Sequence, residues 1–307
     1  MARSHLRDWT YDQIHRECSK EYGRYRAALN ARYKNYFEEH QELAGFHPQL
    51  AASFEQAMPP NMGSLAANIS AKGRHRHHLS GKSSQALGLG LLGAAVHFDP
   101  SLHWLERVLS PVAPFSPSDP PRVFFEHELD SAVLNEYPRV TAIDFFVETT
   151  DVVICAEIKW AEEGLGRCSC GAGKPAVADC SARVLQRSAY WGVAREVFFL
   201  PDREPGTPCP ISAGYQAIRN AAAAVTLAGD RQPVFVLLFD ASNPYFRKTS
   251  DWPGWPEVLQ ETLDTADANS LLKFRAVSWQ ELLPELPLPD EILHWAAEKH
   301  GLARTGP

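Results

Sequence analysis

Asp144 and the triplet Glu157-Ile158-Lys159 are the residues best placed to do chemistry. They occupy two apolar runs, Thr141 to Thr149 and Asp151 to Trp160, rich in Val, Ile and Phe and joined by a short polar step. Such runs predict the two strands of a β-hairpin. A turn at Thr150 and Asp151 sets residue 144 opposite residue 157. Side chains alternate faces along a strand, so Asp144, Glu157 and Lys159 are expected on one face. The other face is expected to carry Ile143, Phe145 and Val147 against Val152, Ile154, Ala156 and Ile158, as a core wall.

Two carboxylates on neighbouring strands repel, and a hard divalent cation relieves the repulsion. Mg²⁺ binds through one or two carboxylates, keeps several waters and takes up phosphate oxygens, so the pair suits phosphodiester hydrolysis. Lys159 would orient the attacking water and stabilise charge on the phosphate, or act as a base if its pKa is lowered. The plainer alternative is a solvated strand face with an incidental Glu–Lys ion pair, because so short a pattern recurs by chance. The dense apolar context on both strands weighs against it.

The elements that must hold these residues are partly legible. Tyr11 to about Ala57 has charged and aromatic residues at helical spacing, and Pro59, Pro60, Asn61 and Gly63 end that pattern. Ser83 precedes the apolar run Ala86 to Leu92 as a helix N-cap, although Gly88 and Gly90 weaken a helix there. Trp104 to Leu109 predicts a short helix, and five prolines between 111 and 121 a stiff linker. Strands are expected at Val123 to Leu129, in the hairpin, at Pro233 to Asp240 and, as an edge, at Lys273 to Val277. Helices are expected at Ala182 to Arg195, Ile211 to Leu227 and Trp279 to Leu283. Three strands, a helix and a further strand give a mixed α/β core, not a doubly wound sheet. Residues 1–80 read as a helical, partly basic N-terminal extension and residues 81–307 as the main domain with a C-terminal strand and helix tail.

Composition sets outer bounds. A chain of 307 residues with 45% hydrophobic and 22% charged residues can bury a large core. No apolar run reaches the length of a membrane span, and the start has no apolar signal stretch, so a cytoplasmic protein is expected. The net charge of −7 does not advertise a nucleic-acid binder. Local clusters do: Arg24, Arg26, Arg32 and Lys34 alternate with tyrosines, and Lys72, Arg74, His75, Arg76, His77, His78 and Lys82 form a second basic stretch. Both could contact phosphates, or be solvated surface.

Cys168, Cys170, Cys180 and Cys209 follow the hairpin and could hold zinc or an iron–sulfur cluster, although their spacing is not paired CxxC; ordinary buried or reactive thiols are the alternative. His75, His77 and His78 could bind a metal, but a basic solvated loop explains them as well. There is no GxxxxGK[ST], HExxH or GxSxG motif. The run Gly88 to Gly93 has the letters of a dinucleotide fingerprint but precedes the strands, and is read as a helix-packing segment.

A strand with an aspartate, a turn, Glu-x-Lys on the next strand, then a helix and a buried strand resemble the PD-(D/E)XK nuclease superfamily, and within it a prokaryotic restriction-endonuclease-like branch. The stretches that carry the resemblance are Ser83-Ser84-Gln85-Ala86, Phe125-Glu126-His127-Glu128, Thr141-Ala142-Ile143-Asp144, Ala156-Glu157-Ile158-Lys159, Glu163 to Cys168, Tyr215 to Asn220 and Leu238 to Pro244. Together they cover about residues 75–285. The resemblance implies a restriction-endonuclease-like mixed β-sheet core flanked by helices, with an N-terminal helical extension. It implies Asp144 and Glu157 as ligands of Mg²⁺ or Mn²⁺ and Lys159 at the water or scissile phosphate. Glu126 resembles an accessory acidic position, and Gln216 a glutamine near the active site. Ile143 stands where the eponymous proline would be. The function implied is a metal-dependent nuclease, foremost a DNA endonuclease acting alone or as a homodimer. The alternatives are a non-catalytic nucleic-acid-binding relative of the same fold and a structural or interaction protein built on a cysteine-bound metal.

Overall fold

In the computed structural model five strands form one sheet in the order β1-β2-β3-β4-β5. They are β1 (Arg122–Glu128), β2 (Ala142–Glu148), β3 (Val152–Ile158), β4 (Gln232–Phe239) and β5 (Lys273–Ser278). The first three are antiparallel, while β3, β4 and β5 run parallel. Residues 5–113, 120–136, 140–166, 190–201, 209–264 and 272–303 are described. The architecture is the expected mixed α/β one, a mixed sheet flanked by helices with a long helix at the N-terminus, and it agrees with a restriction-endonuclease-like fold.

The hairpin has the expected turn, with Thr149 N donating to Val152 O at 3.0 Å. Its ladder pairs Phe145 with Ala156 and Glu148 with Val153, and one further step along that register sets Asp144 opposite Glu157. One side of the sheet is covered by a core containing Phe145, Val147, Ile154, Ala156 and Ile158. The face assigned to the polar residues is a second core wall of equal depth, with Phe146, Val153 and Cys155 packed among Phe235, Leu237 and a run of alanines. Every residue of β3 is buried. Ile143 belongs to this second cluster rather than to the wall with Phe145 and Val147. Beside it β1 is irregular: Glu126, flanked by pairs Phe125–Phe145 and His127–Ile143, has φ +49°.

Four longer helices build the layers: α1 (Tyr11–Glu39), α2 (Ser84–Phe98), α3 (Tyr215–Ala228) and α4 (Trp255–Asp264). A Thr10–Gln13 capping box starts α1, which ends at Glu39 rather than continuing to Ala57. Within the rest of that span only Phe54–Ala57 is helical. Helix α1 feeds both cores, with Leu29, Tyr33, Tyr36 and Phe37 in the first and Ile14, Cys18 and Tyr22 in the second. Ser83 Oγ caps α2 by accepting from Ala86 N at 3.2 Å. Gly88 is what lets α2 close on the sheet, because a Cβ there would lie 2.5 Å from Ile158 Cδ1. On the opposite side α3 lays its fully buried alanines, Ala221 to Ala224, against β3 and β4. The helix expected at 182–195 is seen as Tyr190–Glu196, its earlier part lying outside the described residues. Among the described residues no helix is long and apolar enough to cross a membrane.

Candidate active site

Beyond the pair Phe145–Ala156 a side chain takes over from the β2–β3 ladder. Asp144 Oδ2 accepts a 2.8 Å hydrogen bond from Ile158 N, the amide between Glu157 and Lys159. On the other edge of β3, Lys159 N donates to Leu238 O of β4 at 2.7 Å. The end of β3 is therefore pinned from both neighbours, and the three charged side chains are gathered there. Glu157 and Lys159 are 3% and 4% exposed and form an ion pair. A buried carboxylate needs further donors, and Asn220 Nδ2 of α3 supplies one to Glu157 Oε2.

The electrostatics follow from that crowding. Burial, then the charges of Glu157 and Glu126, push the Asp144 carboxyl well above the usual carboxylate range, against the pull of Lys159 and the Ile158 amide. Burial alone would lower the Lys159 pKa, but Glu157, Glu162 and Asp144 outweigh it and raise it. Lys159 is thus an ammonium ion, opposite in direction to what a lysine base requires.

Asp144, Glu157, Lys159 and Gln216 line one cleft of about 350 Å³, together with His75, Glu162 and Glu163. Gln216 is the first-turn residue of α3 that reaches it; Gly166, at φ +70°, passes so close that a Cβ there would collide with the Gln216 amide. Glu126 reaches the cleft indirectly. Its side chain is 5% exposed and ion-pairs with His75 Nε2 at 3.3 Å, which raises the His75 pKa. Four of the five expected residues therefore share a cavity, and the fifth joins through a histidine.

The site is acid-rich: four carboxylates face one lysine and one histidine. Among the described residues no group of three or more His, Cys, Asp or Glu is placed to hold a metal ion. A two-carboxylate site is still a fit for Mg²⁺, which takes one or two carboxylates and completes its shell with water and phosphate oxygens. Asp144 and Glu157 thus crowd one buried end of β3, where burial and like charge raise the Asp144 pKa and Lys159 is already paired with Glu157. The second candidate metal site falls largely outside the description. Cys168, Cys170 and Cys180 are not among the described residues, and Cys209 is buried in the second core. Cys18 and Cys155 are buried free thiols.

Some contributors escape the sequence reading. Asn220 lies four residues after Gln216, one helical turn along the same face of α3, and that spacing was the available signal. Asp240 and Asn243 follow β4 and hold the chain leaving β3. Asn243 Nδ2 donates to Trp160 O at 3.1 Å and Glu162 O at 3.0 Å, and Tyr25 of α1 bonds both Trp160 O (2.9 Å) and Asp240 Oδ2 (2.8 Å). Trp160 N in turn donates to Glu162 Oε2 at 2.6 Å. Nothing in the local sequence ties these distant residues together.

No curated protein and no solved structure matches the chain. A family model described as restriction endonuclease associating with ARP matches residues 15–299, which takes in the whole sheet and every cleft residue except Tyr11 at its rim. The chain belongs to this restriction-endonuclease family.

Proposed function

We propose that the protein is a PD-(D/E)XK-type nuclease that hydrolyses phosphodiester bonds in DNA with Mg²⁺ or Mn²⁺. The observation that carries the reading is the convergence of Asp144, Glu157 and Lys159 at the pinned end of β3, in one acid-rich cleft. Asp144 and Glu157 would hold the cation. When bound, it supplies Lewis-acid polarisation of the phosphate and a more acidic water.

The chain's own groups do the rest. The Ile158 amide fixes the Asp144 carboxylate, and Asn220 fixes that of Glu157. Lys159, held as an ammonium by its acidic neighbours, donates hydrogen bonds to a phosphate oxygen or to the attacking water. Gln216 adds a neutral polar contact at the cleft wall, and Glu126 orients His75. The family description adds a protein partner, ARP, to the reading, and cutting both strands of a duplex at once would call for a second copy of the chain.

The test is cleavage of supercoiled plasmid and of linear duplex with and without Mg²⁺. Wild type is expected to cut only with the metal. Asp144→Ala, Glu157→Ala and Lys159→Ala should each lower the rate by at least on the order of 10²-fold, as losing one charge-stabilising group does. Equal cutting by wild type and Lys159→Ala, prepared side by side, would overturn the assignment.

A further inference from the structure

The acid-rich cleft borders a second cavity of different lining. This groove, of about 490 Å³, shares His75, Ser84 and Glu162 with the cleft, so the two are adjacent. Besides Tyr22, its remaining ionisable lining is basic: Arg26 from α1, His47, His77 and Lys82. Among the described residues Glu162, at the junction, is its only carboxylate. In a chain of net charge −7 this wall sets Arg26 and Lys82 beside the acidic end. Both basic stretches of the sequence, some fifty residues apart, contribute to it.

The groove is built rather than incidental. Lys82 Nζ is fixed by Asn30 Oδ1 of α1 at 2.7 Å. The segment carrying His77 and Lys82 is tied to the loop carrying His47 through Ala51 N to Leu79 O at 2.9 Å and Gly81 N to Gln49 O at 3.2 Å. Gln85, 4% exposed on α2, holds the start of the segment: its Oε1 accepts from His75 N at 3.0 Å and its Nε2 donates to Gly73 O at 3.0 Å. A positive wall at fixed geometry next to a metal-requiring acidic pocket has one natural occupant, a chain of phosphates with one member in the pocket and its neighbours on the wall.

We propose that this groove seats the phosphodiester backbone of duplex DNA flanking the scissile bond, with Arg26 and Lys82 as its phosphate contacts and His75 at the step into the cleft. The assignment rests on the nuclease reading for its choice of polyanion, but its test does not need catalysis.

The experiment is fluorescence anisotropy of the full-length protein with a labelled 20-base-pair duplex in EDTA, from 50 to 200 mM salt. Wild type is compared with Arg26→Gln/Lys82→Gln, the charge-keeping Arg26→Lys/Lys82→Arg and the control Lys248→Gln, which lies in neither basic stretch and lines a different cavity. Each lost phosphate contact lowers the log–log salt slope by about 0.9. The neutral double variant should therefore lose about 1.8 from the slope, so that its affinity falls about 12-fold less than wild type's over that range. It should bind more weakly at low salt, while the charge-keeping variant and the control follow wild type. Wild-type slope and affinity in the neutral variant overturn the groove. So does a loss that the charge-keeping variant shares, which marks a structural role, or a slope change seen only with single-stranded DNA or RNA. Plasmid cleavage separates the two claims. Cutting by wild type with no groove effect leaves the nuclease and removes the groove, while a groove effect without cutting does the reverse.

Discussion

At the scale of single residues, the site is a balance of buried charge in which each carboxylate is assigned its own donor. Glu157 is the critical case because it sits deepest, between the ammonium of Lys159 and the amide of Asn220. Removing a partner from a buried charge exposes the desolvation cost that the partner offset. Asn220→Ala is expected to lower unfolding free energy by about 1–3 kcal/mol and to cut the cleavage rate. Asn220→Asp should be worse at pH 7, because it sets a second carboxylate against Glu157, and should recover part of the loss in acid, where one of the two protonates. Urea titrations at pH 5 and 7 check this, and an aspartate variant as stable as wild type at pH 7 would contradict the role given to Asn220. The triad itself was readable in the sequence because strand alternation has a period of two and the turn is short. Asn220 was not singled out: its place one helical turn after Gln216 sets it on the same face, but its contact with Glu157 spans 63 residues and no local pattern states it.

At the scale of elements, the sheet end is placed by close approach. Gly88 allows α2 to pack on Ile158, the residue between Glu157 and Lys159. The sequence reading took Gly88 both as weakening a helix and as part of a helix-packing segment, and it is the packing role that is seen, the missing side chain leaving the room that Ile158 Cδ1 fills. Gly88→Ala should cost about 1–3 kcal/mol through overpacking, despite alanine's better helix propensity. Ile158→Val removes the clashing methyl, so in that background the same change should cost under about 1 kcal/mol. Additive losses in the double-mutant cycle would show that the contact does not limit the packing.

The other element with a strong physical signature is the π-helical turn Ala296–His300, which buries two bases. Lys299 is 2% exposed, donates to Ala57 O at 2.7 Å and lies 4.8 Å from the centre of the Trp295 ring, with Tyr36 and Phe37 nearby. Burial lowers its pKa from 10.5 to about 7. Burial first, and then the charges of Lys299 and Arg32, push the pKa of His300 beside it well below the ordinary histidine value. Because the folded pKa of Lys299 is depressed, the unfolded chain binds more protons between about pH 7 and 10.5, and stability rises with pH across that window. Below about pH 7 both states carry the charge, and the penalty is present in full. Lys299→Met should remove this contribution, at most about 1.4 kcal/mol per pH unit, and so gain most over wild type at and below pH 7. Parallel slopes for the two proteins from pH 7 to 9 would refute it. A sequence pattern cannot foretell this turn, because Glu-Lys-His reads as a solvated helix end and only tertiary packing buries it.

At the scale of the whole molecule, the question is whether the N-terminal 80 residues are an addition to the nuclease-like part or a piece of it. Composition changes near residue 80, which is why the sequence divides there, but burial ignores the boundary. Helix α1 places seven buried side chains in the two cores on opposite sides of the sheet. It also crosses the end of β3, where Tyr22 and Tyr25 donate to the carbonyls of Ala161 (2.6 Å) and Trp160 (2.9 Å), two residues and one residue after Lys159. Tyr33 adds a buried link, accepting from Trp160 Nε1 at 2.7 Å and pairing with His300 at 2.9 Å. Burying large side chains is worth roughly 1.5–3 kcal/mol each, so deleting α1 removes about 10–20 kcal/mol, as much as the roughly 5–15 kcal/mol that typically holds a domain together. A fragment of residues 81–307 should therefore show no cooperative thermal transition by circular dichroism. Tyr25→Phe, which spares the packing, should melt within a few degrees of wild type yet cut more slowly, because the backbone carrying Lys159 loses a clamp shared with Asp240. A fragment that melts cooperatively would make the extension a separate unit, and a Tyr25→Phe protein with wild-type turnover would free the site from α1.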